Sequence, residues 1–103
     1  MTVDKKSASK RPAKLTTREV SRELSKTPGW EGRDRRNSIQ RTYQLPGFRA
    51  ALAFVAFVGE LAEVLAHHPD IDIRYNRVTL TLSTHDAGGL TRSDFELARL
   101  IDQ

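Results

Sequence analysis

Apolar positions recur along this chain in two periods, one helical and one alternating, and the switches between them mark its elements. Val20 and Leu24 lie one helical turn apart behind Thr16-Thr17-Arg18-Glu19, a threonine followed three residues later by glutamate. That is a capping box, so a first helix is expected from Thr16 to about Lys26, stopped by Pro28-Gly29. Trp30 leads into a charged segment, residues 31–36, with the composition of a loop or hairpin tip. Ile39, Arg41, Tyr43 and Leu45 then alternate with Ser38, Gln40, Thr42 and Gln44, a strand with one mostly apolar face that ends at Pro46-Gly47.

Residues 48–66 return to the helical period, with Phe54, Val58, Leu61 and Leu65 on one stripe. Phe57, Val64 and several alanines carry apolar character well around the cylinder. A helix of this kind is expected to be covered on more than one side, and in so short a chain the second cover is expected from another subunit. Ile71, Ile73 and Tyr75 alternate with Asp72 and Arg74, and Asn76-Arg77 supplies a tight turn, asparagine tolerating left-handed backbone. Val78, Leu80 and Leu82 alternate with Thr79, Thr81 and Ser83. After a turn at Gly88-Gly89, Thr91 and Asp94 repeat the capping spacing and open a last helix through Leu97, Leu100 and Ile101. The order predicts an α+β fold, an antiparallel four-stranded sheet with three helices packed on one face.

The length of 103 residues allows one domain with a modest core, a size at which chains often gain burial by oligomerising. The net charge of +4 changes the picture less than it seems. Lys5, Lys6, Lys10, Arg11 and Lys14, against Asp4, place all of that excess in residues 1–14, expected to be a disordered basic tail. Residues 15–103 form the domain and balance twelve basic with twelve acidic side chains, so the electrostatic footprint of a nucleic-acid-binding fold is missing. Without cysteine there is no disulfide framework, thiolate nucleophile or cysteine-type zinc site. The tail lacks the apolar region of a signal peptide, and the longest apolar stretch, residues 50–59, is far short of the roughly 20 residues a membrane span needs. A soluble, cytoplasmic protein is expected.

The candidate chemistry lies in the three histidines. His67 and His68 stand side by side before Pro69, and His85 follows seventeen residues later at the end of the cleanest strand pattern. Imidazole gives and takes protons near neutral pH, and this concentration suits proton transfer on a small molecule. The bland alternative for His67 and His68 is closure of a helix C-terminus. A metal site is not expected, because adjacent histidines do not aim at one ion as an i,i+4 pair does.

Glu63, His67-His68-Pro69, Tyr75, Ser83-Thr84-His85-Asp86, Gly88-Gly89-Leu90-Thr91 and Asp94 together resemble the signature of the pterin-4a-carbinolamine dehydratases. Three residues separate Glu63 from His67, nine separate Tyr75 from His85, and eight separate His85 from Asp94. The likeness runs from Leu15 to Gln103 and includes Trp30 and the helix beginning at Phe48. It implies dehydration of a 4a-hydroxytetrahydropterin to the quinonoid dihydropterin, without metal or cofactor, on the product that aromatic amino acid hydroxylases release. By that resemblance His67 and His85 are the acid/base candidates and His68 mainly holds substrate.

The supporting residues keep two readings each. Glu63 orients His67, or forms a surface i,i+4 pair with it. Asp94 orients a histidine or the pterin, or caps the last helix. Thr84 and Asp86 flank His85, where backbone groups read the pterin's amide edge or merely finish a strand. Trp30 walls the ligand or belongs to the core, Tyr75 belongs to the core or an interface, and Pro69 fixes the chain after the histidine pair. Two features lie outside the resemblance: the tail, and a first hairpin made basic by Arg33, Arg35, Arg36 and Arg41. A homodimer or homotetramer is expected. The alternative function is a non-catalytic dimerisation cofactor that binds protein through the helix of residues 48–66.

Overall fold

A computed structural model describes residues 13–103, so the basic tail expected over residues 1–14 lies, but for its last two residues, outside the described part. The first helix, α1 (Thr17–Ser25), starts where the capping box predicts. Thr16 N–H donates to Glu19 Oε1 at 2.8 Å and Glu19 N–H donates to Thr16 Oγ1 at 3.1 Å. The Thr16 backbone donor holds the Glu19 carboxyl below its ordinary range. Residues 31–36 are half strand and half turn. Strand β1 (Glu31–Arg33) pairs antiparallel with β2 (Ser38–Gln44), and Asp34, Arg35 and Arg36 all take left-handed backbone in the turn between them.

Helix α2 (Phe48–Leu65) follows, then β3 (Asp70–Arg74) and β4 (Arg77–Leu82), a 3-10 turn (His85–Ala87) and α3 (Arg92–Ile101). The four strands form one antiparallel sheet in the order β1-β2-β4-β3. The tight turn between β3 and β4 sits one residue earlier than the asparagine suggests. Tyr75, at φ 52°, adopts the left-handed conformation, and Arg77 already pairs with Arg74. The Asn76 side chain is used elsewhere, donating to the carbonyl of Leu45 at 3.0 Å.

Register explains why the helices share one face. Ile39 stands opposite Leu82, Tyr43 opposite Val78, and Ile71 and Ile73 opposite Leu80 and Val78. These side chains point to one side, where all but the exposed Ile71 join Val20, Ala51, Val58, Leu90, Phe95, Leu97, Ala98 and Ile101 in a single core. The other side is polar, with Thr42 bonded to Thr79 and Gln40 to Thr81, and remains open to water.

Helix α2 contributes Ala51, Val58 and Ala62 to the core, yet Phe48, Leu52, Phe57 and Val64 are exposed, Val64 at 80%. The expected cover on a second side is therefore not supplied among the described residues. Tyr75 is likewise no core residue: it is 70% exposed and stacks on Phe48 with ring centroids 6.3 Å apart.

The end of α3 is tied to the sheet through Asp102. Its carboxylate accepts from Trp30 Nε1 at 2.8 Å, Arg41 Nη1 at 3.0 Å and Tyr43 OH at 2.5 Å. Arg41, one of the four arginines that make the first hairpin basic, is thus paired, and its guanidinium also lies 4.6 Å from the centre of the Tyr43 ring. Burial first, then the hydrogen bond and charge of Asp102, push the Tyr43 phenol well above its usual range. A group that is harder to ionise in the folded state stabilises the fold below its unfolded pKa and loses that contribution as pH rises past it. Stability should therefore decline above roughly pH 10. Urea unfolding followed across pH 8–11 should find Tyr43→Phe less stable at pH 8 but with a flatter alkaline decline.

Candidate functional site

Two adjacent histidines reach different surroundings because of the residue before them. Ala66 closes α2 in the left-handed conformation, at φ 52°. The chain folds back on the helix end, and His67 N–H donates to the Ala62 carbonyl at 3.0 Å. From there His67 turns inward, its side chain 14% exposed, while His68 stays outside at 60%. His67 Nε2 meets Asp94 Oδ1 at 2.6 Å, and His68 Nε2 meets Glu63 Oε2 at 2.6 Å.

The expected Glu63–His67 pair therefore does not form. The left-handed residue interrupts the helical register, so the carboxylate meets the next histidine, and both partners of that pair are exposed. Asp94 satisfies both of its readings, one oxygen each. Oδ1 takes His67, while Oδ2 accepts Thr91 N–H at 2.9 Å at the start of α3 and the Thr84 hydroxyl at 2.8 Å. Asp94 is fully buried.

His85 opens the 3-10 turn that follows β4. A backbone bridge between Thr84 and Gly89 closes this loop, and Gly88 permits it by taking φ 74°. The imidazole of His85 is exposed and makes no side-chain hydrogen bond among the described residues. Ala66, His67, His68, Ser83, Thr84, His85 and Asp86 line an open cleft of about 280 Å³. That is at the small end for a ligand site and suits a small, flat molecule.

All three histidines thus converge with Thr84 and Asp86. Pro69 follows the pair directly but does not line the cleft. The structure does not bring Trp30 there; it is packed in the core edge-on to Tyr43, with its indole N–H committed to Asp102. The Thr84 hydroxyl is buried and committed to Asp94 and Thr91. Its backbone is committed as well, the N–H to the Gly89 carbonyl at 2.9 Å and the carbonyl to Ala87 N–H at 3.0 Å and Gly89 N–H at 3.3 Å, so Thr84 finishes the strand rather than reading a ligand. Sequence reasoning gave no site role to Ser83 and Ala66, which line the cleft, or to the Thr91 hydroxyl behind it. For Ser83 and Thr91 the signals were their places in the family signature, and for Thr91 also its capping spacing to Asp94. Among the described residues no three histidine or acidic side chains are grouped to hold a metal ion.

A four-stranded α+β fold carrying a histidine cleft backed by a buried carboxylate defines the structural class. Comparison narrows the class: the family model described as pterin 4 alpha carbinolamine dehydratase matches residues 13–103, and the chain belongs to that family. A protein of Chloroflexus aggregans named "Putative pterin-4-alpha-carbinolamine dehydratase" is 53% identical over 91 residues, which cover 88% of this chain and 96% of the relative. A similarly named protein of Acidobacterium capsulatum is 51% identical over 90 residues, or 87% of this chain and 96% of that one. Among solved structures, a transcriptional coactivator/pterin dehydratase from Brucella melitensis superposes with a TM-score of 0.82 at 37% identity, covering 86% of this chain and 95% of that chain. A pterin dehydratase-like protein described as a RuBisCO assembly factor shares the fold, at 19% identity and a TM-score of 0.63 over 72% of this chain and 86% of that one.

The two carboxylates should differ sharply in what they support. Asp94→Ala leaves three donors without their acceptor in the interior and should cost about 3 kcal/mol or more. Glu63→Ala removes one arm of an exposed pair and should cost less than about 1 kcal/mol. Urea denaturation of both variants checks the contrast.

Proposed function

We propose that this chain is a 4a-hydroxytetrahydropterin dehydratase, a carbon–oxygen lyase that returns the pterin spent in aromatic amino acid hydroxylation. The observation that carries the reading is the gathering of His67, His68 and His85 around one small cleft, with Asp94 buried behind His67. Loss of water from the 4a-carbinolamine breaks the C4a–O bond and forms a C4a–N5 double bond. The leaving hydroxyl must gain a proton and N5 must lose one, so the substrate asks for one acid and one base. His67 and His85 supply these groups from separate elements, the end of α2 and the loop after β4, with His68 beside them holding substrate. Asp94 orients His67 and stabilises its imidazolium, as a buried carboxylate does for a catalytic histidine. Asp86 lines the same cleft, where the amide edge of a pterin can be read. No metal or cofactor enters this scheme, and the work is assigned to the cytoplasm.

A second reading is favoured by the exposed Phe48, Leu52, Phe57 and Val64 of α2. We assign this face to self-association, as a homodimer or homotetramer, with protein binding as the alternative function of the whole chain. The Brucella melitensis relative carries a name that joins coactivation with dehydration, which supports keeping both.

The deciding assay follows quinonoid dihydropterin formation from 4a-hydroxytetrahydropterin generated enzymatically. Wild type should accelerate it, and His67→Ala and His85→Ala, each verified as folded, should lose about 10²–10⁴-fold. No acceleration by folded wild type would discard the enzyme and leave the protein-binding reading.

A further inference from the structure

Behind His67 lies a polar chain whose hydrogens have only one consistent arrangement. Thr84 Oγ1 is 2.8 Å from Asp94 Oδ2 and 2.9 Å from Thr91 Oγ1. A carboxylate can only accept, and a hydroxyl carries one hydrogen. Thr84 therefore spends its hydrogen on Asp94, and Thr91 must donate to Thr84. With the Thr91 backbone N–H at 2.9 Å, Oδ2 holds two donors, one from the end of β4 and one from the start of α3. Those two bonds fix the carboxylate plane and aim Oδ1 at His67 Nε2, 2.6 Å away.

The same arrangement sets the imidazole. Nε2 must carry the ring hydrogen to bond Asp94, so the lone pair of the neutral ring belongs to Nδ1. Nδ1 has no partner among the described residues, where no unpartnered side-chain nitrogen or oxygen is buried. It is accordingly accessible, in a residue that lines the cleft.

We propose that Thr84 is a positioning residue: its hydroxyl, oriented by that of Thr91, locks Asp94 and holds His67 as the Nε2–H tautomer, leaving Nδ1 to exchange protons with the ligand. The part concerning the ligand rests on the dehydratase reading, whereas the tautomer does not. A merely structural role, joining the β4 end to α3, would make Thr84 matter for stability alone.

The test is ¹⁵N NMR of the full, histidine-labelled chain at a pH where the rings are neutral, with His67 assigned by the signals missing from His67→Gln. Wild type and Thr84→Ser should show His67 as the Nε2–H tautomer. Thr84→Val should show a mixture of both tautomers, with kcat for dehydration lowered about tenfold or more at unchanged KM. Thr91→Val should do less, because its hydroxyl reaches Asp94 only through Thr84. A wild-type ring protonated on Nδ1 would overturn the proposal, as would a folded Thr84→Val that keeps one tautomer and full rate. Should Thr84→Val not fold, the wild-type tautomer and its retention in Thr84→Ser decide the matter. The expected tautomers in a protein without dehydratase activity would uphold the positioning role and discard the proposed reaction.

Discussion

Asp94 is the constraint around which the site is arranged. A carboxylate in a dry interior is costly unless donors surround it, and these donors come from three separate stretches of chain. His67 arrives from the end of α2, Thr84 from the end of β4, and Thr91 from the residue before α3. Satisfying one side chain thus brings three element ends to one point, and that point is the inner wall of the cleft. The demands of burial and of chemistry coincide there, because the donors that make the carboxylate tolerable also leave it a defined partner for the imidazole.

A second carboxylate does comparable work at the opposite end of α3. Asp102 gathers an indole, a phenol and a guanidinium from the first hairpin and its approach, where the core thins toward solvent. Between these two anchors α3 lies across the apolar face of the sheet with Phe95, Leu97 and Ala98 fully buried. The helix is pinned by polar contacts at both ends and by apolar contacts along its length, which gives the site a stiff support.

Most of the architecture was legible in the sequence, because period and capping are local signals. The Thr16/Glu19 box, the alternation in β2 and β4 and the Pro46-Gly47 break all fall where the structure places them. What escaped was set by backbone conformation or by distance. No rule of spacing announces that Ala66 and Tyr75 take left-handed conformations, and both shifts follow from that: Glu63 meets His68, and the β3–β4 turn moves back by one residue. For Trp30 the sequence leaves ligand wall and core both open, and for Arg41 it shows only a basic hairpin, because nothing local connects either to Asp102, which lies more than sixty residues away. The three histidines that line the cleft stand out by type and spacing, but which carboxylate meets which imidazole needed three dimensions.

The left-handed residue at the end of α2 has a consequence for redundancy. Two identical side chains in succession look like duplication, as if one stood in reserve for the other. Even in a regular helix successive side chains point about 100° apart. Here one backbone angle sends the first toward the interior and the second toward water, where each meets a different acid. The two rings are accordingly two separate structural problems, one set by a buried acid and the other by an exposed one.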